Sequence, residues 1–180
     1  FQNFPTQYAI NTTTIPVDQR ASTIEGYTFS STGNVSTIED TRCIYAPFCW
    51  LFQGTTGVTT ETPTLEYTSA TVDLRDYTLV NFTFSLVDVD LENSEFFEVY
   101  FFNGVSYVLG YQHNGSNNAR TNATWTANQF VTYTIPLSAQ FLVSNFKWFF
   151  RATVDDSVLT GNVDGIVLEN VHVNISGTKY

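Results

Sequence analysis

From Tyr77 onward the chain alternates cleanly: Val80, Phe82, Phe84 and Leu86 are apolar, and the residues between them, Asn81, Thr83 and Ser85, are polar. Successive side chains of a strand point to opposite faces, so this spacing predicts a strand over 77–89 with one face in a core and the other toward water. The closing segment repeats the pattern, with Val171, Val173 and Ile175 inward and His172, Asn174 and Ser176 outward. Runs rich in β-branched and aromatic residues predict further strands over 22–29, 42–52, 66–74, 96–102, 105–112, 129–135, 145–153 and 165–175, about nine in all. Asn103-Gly104 sits between two of them as a hairpin signal, while 54–64 and 113–128 read as polar loops. The one helical hint is a short turn in "IPLSAQFL". Strands without helices predict an all-β, jelly-roll-type sandwich.

The first residues alternate too, with Phe4, Thr6, Tyr8 and Ile10 set between Pro5, Gln7, Ala9 and Asn11, but the Thr-rich run to Pro16 offers no tight turn to a partner strand. Residues 1–20 therefore read as an extended arm and 21–180 as the sandwich, within the size of one domain. The arm has three possible fates: an edge strand on its own sandwich, a frayed tail, or a strand given to the next copy. In the last case Phe4, Tyr8 and Ile10 would fill pockets of the acceptor, and head-to-tail insertion that does not close would build an open filament.

Composition narrows the setting. The formal charge is −10, and Lys147 and Lys179 are the only lysines, which excludes a basic surface for nucleic acid or anionic lipid. No apolar run is long enough to span a membrane as a helix. A start at Phe1 rather than Met reads as an end left by signal-peptide removal, or by trimming. Cys43 and Cys49 bracket "CIYAPFC"; they lack the further ligands of a zinc site and are expected to close a small disulfide loop in an oxidising compartment.

Asn-x-Ser/Thr triplets stand at Asn11, Asn34, Asn81, Asn114, Asn122 and Asn174. Strand alternation turns Asn81 and Asn174 outward, Asn114 lies in a polar loop, and Asn11 is on the polar edge of the arm, so a secreted, N-glycosylated protein is expected.

The stretches "FTFSLVDVD", "FVTYTIPLS", "FKWFFRATVDDS" and "NVDGIVLENVHVNI" resemble the galactose-binding-like or MAM-like jelly rolls of secreted proteins, over roughly Tyr77 to Ile175. The resemblance implies architecture and an extracellular setting.

Chemistry is sparse. His113 and His172 are the only histidines, and neither lies in a nucleophile–base motif. The acidic groups at strand ends read first as solvated turns. Asp88, Asp90, Asp155, Asp156 and Asp164 are also candidates for a structural calcium ion, although the segment after Asp88 lacks the glycine and terminal glutamate of an EF-hand loop. No cofactor is required, and no enzyme is expected. Trp125, Trp148, Tyr107 and Tyr111 are candidate sugar-stacking rings; core packing is the plainer reading of Trp148, and Trp125 is the most exposed by its polar neighbours. Two functional expectations follow. One is a self-assembling, glycan-clad extracellular filament built by the arm, in logic similar to donor-strand pili and glycan-coated fibrils. The alternative is a monomeric carbohydrate-binding or adhesive ectodomain.

Overall fold

The alternation of Tyr77–Val89 and of its closing partner determines the centre of the structure. The computed structural model describes residues 7–9, 23–24, 27–29, 34–39, 43, 48–53, 62, 64–67, 72–89, 91, 93–115, 129–154 and 165–178. Among these residues there are twelve strands: β1 (Gln7–Ala9), β2 (Thr23–Ile24), β3 (Tyr27–Phe29), β4 (Asn34–Glu39), β5 (Phe48–Gln53), β6 (Thr64–Tyr67), β7 (Tyr77–Val89), β8 (Phe96–Phe102), β9 (Tyr107–Asn114), β10 (Val131–Pro136), β11 (Trp148–Thr153) and β12 (Gly165–Thr178). A single turn of 3₁₀ helix covers Ala139–Phe141, within "IPLSAQFL".

The strands form two antiparallel sheets of six. Sheet A runs β10-β7-β12-β5-β4, with β1 also on β12, and sheet B runs β2-β3-β6-β11-β8-β9. The expected all-β sandwich is present, in more and shorter pieces than the nine strands expected. β4 was not anticipated, because Val35 and Ile38 are three apart and give no period-2 signal. The expected strand over 22–29 is a pair of short strands, β2 against β3. The one expected over 42–52 starts only at Phe48. The one expected over 66–74 ends at Tyr67, and Val72 instead makes an isolated bridge to Phe146.

The core lies between the sheets. Phe82, Phe84 and Leu86 of β7, with Ile166, Leu168, Val171 and Val173 of β12, face Phe97, Val99 and Phe101 of β8 and Trp148 and Phe150 of β11, all buried. Phe82 packs edge-on against Phe101 at 4.9 Å and Trp148 at 5.1 Å. Burying one such ring contributes about 1.5–3 kcal/mol, and edge-to-face pairing adds about 0.5–1.5 kcal/mol.

Two bulges adjust which residues face the core. Between Glu169 and His172 the β12–β7 register slips, and Asn170 takes φ 55, a left-handed conformation that Asn adopts more readily than most residues. The extra residue moves Val171, Val173 and Ile175 inward, in phase with Ile166 and Leu168 before it. The second slip lies on β9 opposite Val99/Tyr100, where Gly110 is the extra residue. A Cβ there would stand 2.3 Å from Phe101 Cδ2 and Cε2, so only glycine lets that ring lie against β9.

Cys43 and Cys49 form the expected disulfide, with Cα atoms 6.0 Å apart. It packs with Val87, Val89 and Val167 in a second apolar cluster on the outer face of sheet A. β12 pairs with β5 only through Gly165–Leu168, which leaves the same edge open further along. Gln7–Ala9 fills it, with Tyr8 opposite Val173. Within the single chain Gln7–Ala9 of the arm thus pairs with its own β12; Phe4 and Ile10 lie outside the described residues.

Candidate functional site: the outer face of sheet B

On β8 the inward set Phe97, Val99 and Phe101 forces Glu98, Tyr100 and Phe102 outward. The pairing registers extend this into a grid over three strands. Across one end, Lys147 stands beside Phe102, whose N–H donates to the Lys147 carbonyl at 2.9 Å, and Phe102 pairs with Tyr107. Phe149, Tyr100 and Leu109 form the middle row, and Arg151, Glu98 and Gln112 the third. With about 3.3 Å per residue and about 4.8 Å between strands, the grid covers roughly 14 by 10 Å.

Local chemistry fixes each part. The turn ahead of Tyr107 is held by Asn103 Oδ1, which accepts from the N–H groups of Val105 at 3.0 Å and Ser106 at 2.9 Å, and Gly104 supplies φ 95. Gly110 then resets the phase, so that Tyr107 and Leu109 before the bulge and Gln112 after it all point outward, while Tyr111 turns toward the core.

The middle of the grid is aromatic. Tyr100 and Phe149 stack at 4.6 Å with ring planes 6° apart, a separation close to the strand spacing, so the rings stand face to face on neighbouring strands. Tyr107 meets Phe149 edge-on at 4.8 Å and Phe102 at 5.3 Å. All four rings are half-buried. The Lys147 ammonium lies 5.0 Å from the Phe102 ring centre and 5.6 Å from that of Tyr107, and the Arg151 guanidinium lies 5.0 Å over Tyr100.

The third row is polar and internally compensated. Arg151 Nε donates to Glu98 Oε2 at 2.7 Å, and Arg151 Nη2 donates to the Tyr100 hydroxyl. That hydroxyl donates onward to Glu98 Oε2 at 3.1 Å, and Gln112 Nε2 approaches Oε1 at 3.5 Å. Glu98 is 4% exposed, so it is not a solvated acidic group. Burial, then the hydrogen bond to Glu98, raises the Tyr100 phenol above its ordinary pKa and keeps it protonated as a donor. The face thus combines hydrocarbon ring surface with fixed donors, the combination that suits a sugar's C–H faces and its hydroxyls.

Of the described candidate sugar-stacking residues, only Tyr107 belongs to this grid. Trp148 is a core residue. Tyr111 packs on Phe84 at 5.4 Å and Tyr133 at 4.9 Å, and its hydroxyl is pushed well above its ordinary pKa by burial and then by the hydrogen bond with Tyr133. Trp125 lies outside the described residues. Tyr100, Phe102 and Phe149 were missed because "FFEVYFF" and "WFFRAT" are apolar on both faces, which hides the alternation. Glu98 and Arg151, placed in the outward phase, were the available signal.

Of the acidic candidates, Asp88 is the one among the described residues. Asp88 Oδ1 accepts the Leu91 N–H at 2.9 Å, and Oδ2 lies 2.9 Å from His113 Nε2. Asp90, Asp155, Asp156 and Asp164 fall outside the described residues. Cys43, Cys49 and Glu169 come within metal-ligand spacing, but both sulfurs are committed to the disulfide. His172 donates from Nδ1 to the Asn170 carbonyl at 3.0 Å.

The sequon asparagines divide unevenly. Asn81 on β7 and Asn174 on β12 are direct cross-strand partners on the outer face of sheet A, both half-buried, and Asn174 Nδ2 donates to Thr83 Oγ1 at 3.3 Å. Asn34 opens β4 in the same sheet, and Asn114 is exposed at the end of β9. Asn11 and Asn122 lie outside the described residues.

Two packed antiparallel sheets of this kind define the class: a β-sandwich of jelly-roll type. Neither a protein-family model nor a curated protein sequence matches the chain. Among solved structures, the chain is similar to the K1 cleaved adhesin domain of Lys-gingipain from Porphyromonas gingivalis, with a TM-score of 0.55, 16% identity, and coverage of 84% of this chain and 92% of that one. It is also similar to the carbohydrate-binding module TmCBM61 in complex with β-1,4-galactotriose, with a TM-score of 0.51, 8% identity, and coverage of 83% of this chain and 88% of that one. Family 29 carbohydrate-binding modules overlap 96% of the chain at 15% identity and a TM-score of 0.48. At these identities the likeness is one of fold.

Proposed function

We propose that this chain is an extracellular, non-catalytic carbohydrate-binding or adhesive domain whose ligand face is the outer surface of sheet B. The observation that carries this reading is the grid itself: four half-buried aromatic rings flanked by Lys147 and by the Arg151–Glu98–Gln112 row, on an otherwise acidic protein. A fold shared with a module solved around β-1,4-galactotriose supports it, as does a disulfide suited to an oxidising compartment. The N-linked sites belong to the same extracellular setting. The test is a glycan array read with wild type, Tyr107→Ala and Phe149→Ala. Binding to a defined oligosaccharide that falls about tenfold or more in both variants, with folding intact, supports the proposal. Absence of glycan binding, or binding unchanged in both variants, overturns it.

The filament reading keeps one specific observation in its favour. Among the described residues the edge of β12 at His172–Asn174 is met by Gln7–Ala9 of β1, and an equivalent strand from another copy would fit the same slot. Negative-stain imaging of native material tests it: filaments lost on deletion of residues 1–10 support exchange, and a monomer at all concentrations opposes it.

A further inference from the structure

We infer that the sheet B face is selective for acidic glycans, and that Lys147 is the residue that reads the acid group, a carboxylate or a sulfate ester. This rests on the proposed function of that face. The two cations of the grid are in different electrostatic states. Arg151 is forked onto Glu98, so its charge is compensated within the protein, and its remaining N–H groups serve as rigid donors to hydroxyls. Lys147 is held over Phe102 and Tyr107 by ring faces alone; among the described residues no carboxylate lies within ion-pair distance of it, whereas Arg75 and Arg151 each have one.

A half-buried ammonium fixed by two rings, with no carboxylate paired to it among the described residues, is prepared for an anion brought by the ligand. The overall charge of −10 argues the other way, since it repels an anionic partner at long range. At physiological ionic strength the screening length is about 8 Å, so charges beyond the face count for little once contact is made, and the local ammonium decides. The residues of the grid thus divide the work: the rings supply stacking surface, Arg151 and Gln112 bind hydroxyls, and Lys147 discriminates by charge.

The experiment uses an array that carries the same oligosaccharides in neutral, uronate and sulfated form, probed with wild type, Lys147→Met and Tyr107→Ala. Wild type is expected to prefer the acidic member of a matched pair by about five- to tenfold, roughly what one charge-assisted contact contributes at a partly exposed site. Lys147→Met should abolish that preference, and the uronate and sulfated arms identify which acid is read. Equal wild-type binding of neutral and acidic forms, or a preference that survives Lys147→Met, overturns the inference but leaves the binding face standing. A protein that binds no glycan, or binds them equally well after Tyr107→Ala, overturns the proposed function itself.

Discussion

Replacing Gly110 with alanine is a small change in the sequence and a large one at the junction of core and face. The added Cβ would stand 2.3 Å from two carbons of the Phe101 ring. That ring is fully buried and held by Phe82 at 4.9 Å, Phe141 at 5.4 Å and Phe146 at 5.7 Å, so it has no free direction in which to retreat. Overpacking of this kind costs about 1–3 kcal/mol. Alanine also restricts the unfolded chain, which returns about 0.4–1 kcal/mol. The clash wins, and a net loss of about 1–2 kcal/mol is expected. For a chain of this size that lowers the melting temperature by roughly 2–8 °C. Thermal and urea unfolding read the loss directly, and a second change gives a sharper check. Phe101→Leu removes the atoms that clash, so Gly110→Ala should cost much less in that background than in wild type. A Gly110→Ala protein as stable as wild type, or equal costs in both backgrounds, would refute the reasoning.

Three further outcomes are expected. Asn170→Val should destabilise by about 1–2 kcal/mol in urea titration, because a β-branched residue resists φ 55, whereas Asn170→Gly should be close to neutral. His172 has its pKa lowered in the folded chain, first by burial, with the hydrogen bond to Asn170 partly opposing. The unfolded chain therefore binds the extra proton first, so stability should be full above about pH 6.5, fall as the pH drops below that value, and level off beneath the folded pKa; His172→Gln should flatten this part of the profile. Reduction of Cys43–Cys49 should cost roughly 2 kcal/mol, as expected for so short a loop, with the sandwich remaining folded by circular dichroism.

How much of this was legible in the sequence depended on whether alternation was visible. The bounds of β7 and the inward set of β12 followed from period-2 spacing, and those of β8 from its aromatic run beside the Asn103-Gly104 turn. The disulfide followed from two isolated cysteines in a secreted composition. The grid did not follow, for two physical reasons. Its strands are apolar on both faces, so Tyr100 and Phe149 look like core residues until burial separates them from Phe101 and Trp148. Its contacts also join residues far apart in the chain, such as Glu98 and Arg151, and only the β8–β11 register brings them together. The phase of β9 was hidden for a third reason: a single glycine shifts it, and no hydrophobic pattern marks the slip.

The central claim is that the outer face of sheet B holds the ligand. Titrating ¹⁵N-labelled protein with the oligosaccharide that binds best on the array tests it most directly. The expected result is a set of saturable shifts confined to β8, β9, β11 and the Lys147 segment, centred on Tyr100, Tyr107 and Phe149. Shifts that instead cluster on the outer face of sheet A, around Asn81, Thr83 and Asn174, would contradict it.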